Sequence, residues 1–449
     1  MNMNVYFFIR AYNDLDQATP IIHRLCEKYS NINVDLISWS PTVDFSNDYR
    51  VSFLREKHQI NFIHLLELES KWYRKFRFMR SVIHFYRKHY LLPIRMPEKN
   101  IYLKYTYKLL SYCHQKPFQV LIDKYYRDLG KYWRLFDFSQ ILQKNLIPNV
   151  FCFDQGKSPF VKSAVKFAKE RKIATVIYLH GLQTLVNHYR SSHYVVPNKL
   201  PDMKPFNMFD RILVNNNIER ESFCHYGIDS EKVKVAGSAR YAHSWVKILK
   251  AITPGINLPN VSSAGLKVVF MLTNPTYNVF QDEIFNLIML LANYKKLFVV
   301  VKCHTRSQSP YVFRTEQRVM LDRCKNVLLV TSNDIHSYRL IEWADLFIFT
   351  YTSIIIDALM QDKPALFLRK TMFNKLIFER FMLEWNIDCR DDLVNWINKF
   401  LEDKNTRTYS VNEAVDCVNY LTNDGDMGAL DRLAEEIVKV GRLYQEGIG

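Results

Sequence analysis

Residues 344–368 constrain the fold more than any other stretch: Ala-Asp-Leu-Phe-Ile-Phe-Thr-Tyr-Thr-Ser-Ile-Ile-Ile-Asp-Ala-Leu-Met-Gln-Asp-Lys-Pro-Ala-Leu-Phe-Leu. The short apolar run Leu346–Phe349 has the composition of a strand buried on both faces, and Thr350, Tyr351, Thr352 and Ser353 break it with residues suited to start a helix. Residues 354–360 follow as that helix, Lys363-Pro364 stops it, and Ala365–Leu368 reads as a second buried strand. A strand, a hydroxyl-rich turn and a helix N-terminus place amide N–H groups and hydroxyls together, where the helix dipole favours an anion. Two readings stand for Thr350, Thr352 and Ser353: a phosphate seat, or ordinary caps of a strand-to-helix turn.

A second stretch favours the seat. Leu297–Lys302 is another buried strand, and it ends in Lys302, Cys303, His304, Thr305 and Arg306. Cationic side chains at the carboxyl end of a strand lie where open α/β sheets bind ligands.

Together, Lys302-Cys-His304-Thr-Arg306 and Thr350-Tyr-Thr352-Ser353 with Asp357 and Lys363-Pro364 resemble the donor half of GT-B glycosyltransferases, above all bacterial surface-polysaccharide transferases. They also resemble the related CDP-glycerol glycerophosphotransferases. Those families carry a Lys-Pro-His-Pro-like strand end and a Ser-Ser, Glu and Lys-Pro segment; here Cys303 and Thr305 replace prolines and Asp357 replaces Glu. The resemblance implies an α/β chain of two facing Rossmann-like domains with parallel sheets. It also implies a nucleotide-activated donor held mainly by the C-terminal domain, with Asp357 near a donor sugar hydroxyl.

A chain of 449 residues exceeds what one core organises. The expected division is an acceptor-side domain over 1–250 and a nucleotide-sugar domain over 264–449 that ends in helices. Between them, residues 252–265 are rich in Pro, Gly, Asn and Ser and read as the linker. The C-terminal half is expected to be helical after Arg369.

The formal net charge of +16 draws the chain to polyanions. Much of it lies in residues 71–88, where Lys71, Arg74, Lys75, Arg77, Arg80, Arg87 and Lys88 interleave with Trp72, Phe76, Met79 and Ile83 at helical spacing. The insert from about 70 to 138 therefore reads as a basic helical face. Either its apolar stripe covers the N-terminal core and its charges face water, or the charges meet an anionic membrane bearing a lipid-linked acceptor. No zinc finger, RNA-recognition motif or basic tail supports nucleic acid. The eight cysteines show no Cys-x-x-Cys pair or zinc spacing, and no run approaches the ~20 apolar residues of a membrane span. The expectation is a cytoplasmic protein, peripheral to the inner membrane face, with no metal.

In the N-terminal half, Arg10, Asp14 and Asp16 follow the first strand, on a loop at its carboxyl end. They are the acceptor-side candidates, although Asp14 is equally suited to be a helix cap. Asp154 and His180 end two consecutive strands, each followed by a glycine, Gly156 and Gly181. A carboxylate and an imidazole at one edge suit proton transfer, so these are the catalytic candidates; a turn-stabilising Asp and a loop-bonded His are the alternatives. His180-Gly181 also resembles the His-Gly of the glycerophosphotransferases, whose histidine is thought to act at the acceptor hydroxyl. Gly237-Ser-Ala-Arg240 resembles the Gly-Ser/Asn-Pro-Arg turn of the same families, with Ala239 for proline. Arg240 either reaches donor phosphate or pairs with an acidic neighbour. Thr273, ending the first strand of the C-terminal half, completes the donor-side set.

With 12 glycines there is no Gly-x-Gly-x-x-Gly and no Walker loop. There is likewise no isolated Asp-x-Asp in a loop suited to a metal-bound nucleotide, so helix dipole and cationic side chains would replace a divalent ion and no cofactor is expected. The expected activity is transfer of a sugar from a nucleotide-sugar donor to a lipid-linked bacterial surface glycan, such as a capsule or lipopolysaccharide. The alternatives are CDP-glycerol-type transfer, a nonhydrolysing sugar-nucleotide epimerase, or a noncatalytic basic scaffold that binds membrane or polysaccharide.

Overall fold

In the computed structural model of the chain, the described residues are 2–40, 43–65, 138–142, 147–156, 158–179, 181, 203–258, 265–273, 279–304, 313–330, 335–372, 376–381, 385–424 and 428–447. The basic insert expected over about 70–138, except Phe138 at its end, lies outside them, as do His180 and Arg306.

The first sheet holds β1 (Met3–Ile9), β2 (Ile32–Ser38), β3 (Asn61–His64), β4 (Val150–Phe153), β5 (Ala174–Tyr178), β6 (Arg211–Val214) and β7 (Val233–Val235). Their order is β3-β2-β1-β4-β5-β6-β7, with every pair parallel. Helices α1 (Tyr12–Lys28), α2 (Tyr49–His58), α3 (Pro159–Glu170), α4 (Asn217–His225) and α5 (His243–Ile252) accompany it.

The second sheet holds β8 (Leu266–Met271), β9 (Leu297–Lys302), β10 (Val327–Val330), β11 (Leu346–Phe349), β12 (Ala365–Leu368) and β13 (Asn386–Ile387), in the order β10-β9-β8-β11-β12-β13. It too is parallel throughout. Its helices are α6 (Gln281–Ala292), α7 (Thr315–Asp322), α8 (Ser337–Trp343), α9 (Ile355–Met360), α10 (Arg390–Glu402) and α11 (Val411–Thr422), followed by α12 (Ala429–Gln445).

Helices cover both faces of each sheet, which is why the strands read as unbroken apolar runs. Val269, Val300, Phe347 and Phe349 face α8, α9 and α11, while Val268, Val299, Leu346 and Ile348 face α6 and α10. Local signals set the helix starts. Ser158 accepts from Val161 N at 3.1 Å ahead of Pro159, and Ser410 and Glu413 close a capping box at α11.

Helix α12 leaves the second sheet and lies on the first. Its buried residues Leu430, Leu433, Ala434, Ile437 and Val438 join the core of Val5, Phe7, Val150 and Val176. Gly441 permits the close approach: a Cβ there would sit 2.7 Å from Val150 Cγ2.

Two expectations are corrected. Helix α1 begins at Tyr12, so Asp14 and Asp16 are helical rather than on a loop. The chain after Arg369 is not wholly helical, because β13 pairs with β12 through Phe367 and Leu368. A two-residue strand carries too little periodicity to be read from its sequence.

In both sheets the chain reverses direction of growth between two central strands, β1 and β4 in the first and β8 and β11 in the second. Crevices form outside the carboxyl ends of strands at such points.

Candidate functional site

At the second reversal point, Thr273 follows β8 and Thr350 follows β11, and their hydroxyls bond to each other. Thr273 Oγ1 also accepts from Tyr351 N and donates to Tyr351 O, each at 2.9 Å. Thr352 Oγ1 accepts from Ile354 N at 3.2 Å. Thr273 and Thr350, both buried, therefore shape the turn from inside it. Ser353 is half-buried at its outer end. Helix α9 has only six residues, so the seat draws less on a helix dipole than its sequence implies. Lys363 Nζ donates to the carbonyls of Glu342 and Ala344 at 2.9 and 2.8 Å, capping the end of α8 rather than meeting the crevice.

Lys302 is the last residue of β9 and is 1% exposed; His304, two residues on, is half-buried. Strand alternation puts Lys302 on the same face of the sheet as Val300, the face covered by α8, α9 and α11.

In the first domain, Asp154 is buried directly after β4. Asp14 Oδ2 accepts from Arg10 N at 2.6 Å and Ala11 N at 2.9 Å, so its role is to hold the start of α1. Arg10 is exposed and lies 5.1 Å from the Trp39 ring. The Tyr178 phenol at the end of β5 is buried near Asp154 and Asp14, and burial together with those carboxylates pushes it well above its ordinary value.

Two contacts bring the domains together at the turn. Gly181, at φ +67°, faces Ser353: a Cβ on it would be 3.6 Å from Ser353 Oγ. Tyr241 Oη donates to Ser353 O at 2.7 Å.

Beside them lies a buried charge cluster. Arg240 donates through Nη1 to Asp16 Oδ2 at 3.0 Å and through Nη2 to Asp357 Oδ2 at 3.1 Å. Arg50 Nη1 bonds to the other oxygen of Asp16, and Arg50 grips Asp48 through Nε at 2.8 Å and Nη2 at 2.7 Å. His336 Nδ1 accepts from Tyr338 N at 3.2 Å, which leaves the proton on Nε2, 3.4 Å from Asp16 Oδ1. Burial alone would raise the Asp16 carboxyl, but Arg240 and Arg50 outweigh it and hold the group well below the ordinary range. For Asp357 burial wins and its carboxyl is raised despite Arg240.

Of the residues singled out in the sequence, the structure thus groups Thr273, Thr350, Thr352, Ser353 and Asp357 around one turn. It joins Asp16 and Arg240 to them and leaves Asp14 as a cap. Arg50, His336 and Tyr241 are additions that no motif marks; each is recognisable only from its partners.

No protein-family model matches the chain, and no curated protein matches its sequence. Solved structures do match its fold. A candidate UDP-N-acetylglucosamine 2-epimerase from Listeria monocytogenes superposes with a TM-score of 0.55 at 11% identity, over 100% of this chain and 98% of its own. S. aureus MnaA, solved with UDP, gives 0.53 at 13% identity with the same coverage of 100% and 98%. UDP-N-acetylglucosamine 2-epimerase from Rickettsia bellii gives 0.50 at 12%, again over 100% and 98%. The chain thus has the GT-B-like fold, two Rossmann-like domains with parallel sheets. The expected surface-glycan glycosyltransferase is corrected on this ground: the Listeria monocytogenes and Rickettsia bellii proteins that match the fold end to end are named UDP-N-acetylglucosamine 2-epimerases, not glycosyltransferases.

Proposed function

We propose that this chain binds a nucleoside diphosphate sugar of the UDP class and epimerises its sugar without hydrolysing it. One observation carries the reading: the turn at the β8/β11 reversal point meets the first domain at Gly181 and Tyr241. A diphosphate on that turn, near Lys302 and His304, would direct its sugar toward the carboxyl ends of β4 and β5. End-to-end fold likeness to two UDP-N-acetylglucosamine 2-epimerases, and to a protein solved with UDP, supports the same reading.

The chemistry sets what the residues must do. Inverting a ring carbon that bears hydrogen requires that its C–H bond break. Beside the anomeric carbon, that proton can be lost as the nucleoside diphosphate departs, forming a double bond between the two carbons. Return of a proton to the opposite face and of the diphosphate to the anomeric carbon restores the sugar inverted, and atoms balance with no oxidant. Cationic and hydroxyl groups at the seat would stabilise the departing diphosphate. Asp154, with His180 two residues beyond β5 in the sequence, is assigned the proton transfer.

Incubation with UDP-N-acetylglucosamine in D2O, followed by proton NMR, tests the proposal. A second anomeric signal and deuterium at the inverted carbon are expected, and both are expected to vanish in Asp154→Asn. Absence of exchange together with no UDP-induced rise in melting temperature would overturn the reading.

A further inference from the structure

The sequence leaves Arg240 between two roles, reaching donor phosphate or pairing with an acidic neighbour. Its guanidinium is in fact divided between carboxylates of different domains: Asp16 on α1 at 3.0 Å and Asp357 on α9 at 3.1 Å. The three side chains are 10%, 9% and 1% exposed, so little solvent screens them. We propose that Arg240 is a positioning residue, an electrostatic strut that fixes the register of the two domains, and not a ligand of the nucleotide.

Three features support this assignment. Asp16 is held from behind by Arg50, itself locked on Asp48, so the strut ends on a braced carboxylate. His336, from the second domain, directs Nε2 at the same Asp16 and so adds a second crossing. The neighbouring Tyr241 bonds to Ser353 O, so residues 240 and 241 grip both the turn and the first helical residues after it. Planarity matters here: a guanidinium can serve two carboxylates along fixed directions, whereas one ammonium on a longer stem cannot hold both in the same geometry.

Each sheet has its own apolar layers, so loss of the strut should free the domains without unfolding them. Small-angle X-ray scattering of the nucleotide-free protein is the test, on wild type, Arg240→Lys and Asp357→Asn. A compact chain of this length has a radius of gyration of about 22 Å. Both variants are expected to exceed wild type by roughly 1 Å while keeping its far-UV circular dichroism and cooperative unfolding. Arg240→Lys is expected to open further than Asp357→Asn, whose amide still accepts from Arg240. Unchanged scattering in folded variants would overturn the strut. So would loss of folding in both, since a strut between separately cored domains is dispensable to each. None of these arms requires UDP, so failure of nucleotide binding would count against the epimerase reading alone.

Discussion

Tyr241, fully buried in the first domain's crossing loop, donates its phenol hydrogen across 2.7 Å to the main-chain carbonyl of Ser353 at the mouth of the second domain's turn. The bond ties the candidate seat to the opposite domain by one hydroxyl. In Tyr241→Phe the ring packing survives but the Ser353 carbonyl loses this partner. A loss of about 1–2 kcal/mol is expected, read as a lower urea midpoint at unchanged m.

Thr273 is the hub of the same turn from below, bonded to Thr350 and to both main-chain groups of Tyr351. Thr273→Val keeps the shape and removes the hydroxyl that accepts from the part-buried Tyr351 N–H, at a cost of roughly 2 kcal/mol. The turn should loosen as well, so the rise in melting temperature on adding UDP is expected to shrink relative to wild type.

Gly237, at φ +92°, lies where the crossing loop meets the chain leading into α12; an added Cβ would sit 2.6 Å from Ala429 Cβ and 2.7 Å from Asn423 O. Both the left-handed backbone and the lack of space oppose any side chain there. Gly237→Ala is expected to destabilise by more than about 2 kcal/mol, with earlier proteolytic cleavage near the start of α12 as the accompanying sign.

His23 Nδ1 and His58 Nε2 lie 2.7 Å apart, between α1 and α2, with Phe53 and Trp245 against the His23 ring. Burial lowers both rings, His23 from 6.5 to about 4. Between those values the unfolded chain binds more protons than the folded one, so stability is full above pH 6.5 and falls as pH drops toward 4. The His23 contribution is at most about 3 kcal/mol. Urea midpoints from pH 7.5 downward should show this slope, and His23→Phe should flatten it.

The parallel α/β architecture was legible in the chain because its strands are short apolar runs ended by hydroxyl or charged residues, and such runs survive only between two helical layers. Leu346–Phe349 with Thr350–Ser353, and Leu297–Lys302, announced where the second sheet's crevice lies by local pattern alone. What local pattern could not carry was pairing. Asp14 and Asp16 are two residues apart in one segment, yet one caps its own helix and the other meets Arg240, which is 224 positions away in sequence. Asp357 reads in the sequence as a group for a sugar hydroxyl, and nothing there marks the ion pair it makes with Arg240. Arg50 and His336 carried no motif at all. An ion pair is a property of two distant positions brought to about 3 Å. Neither position bears a mark of the other until the sheets are stacked and the crossing loop has set the domains face to face.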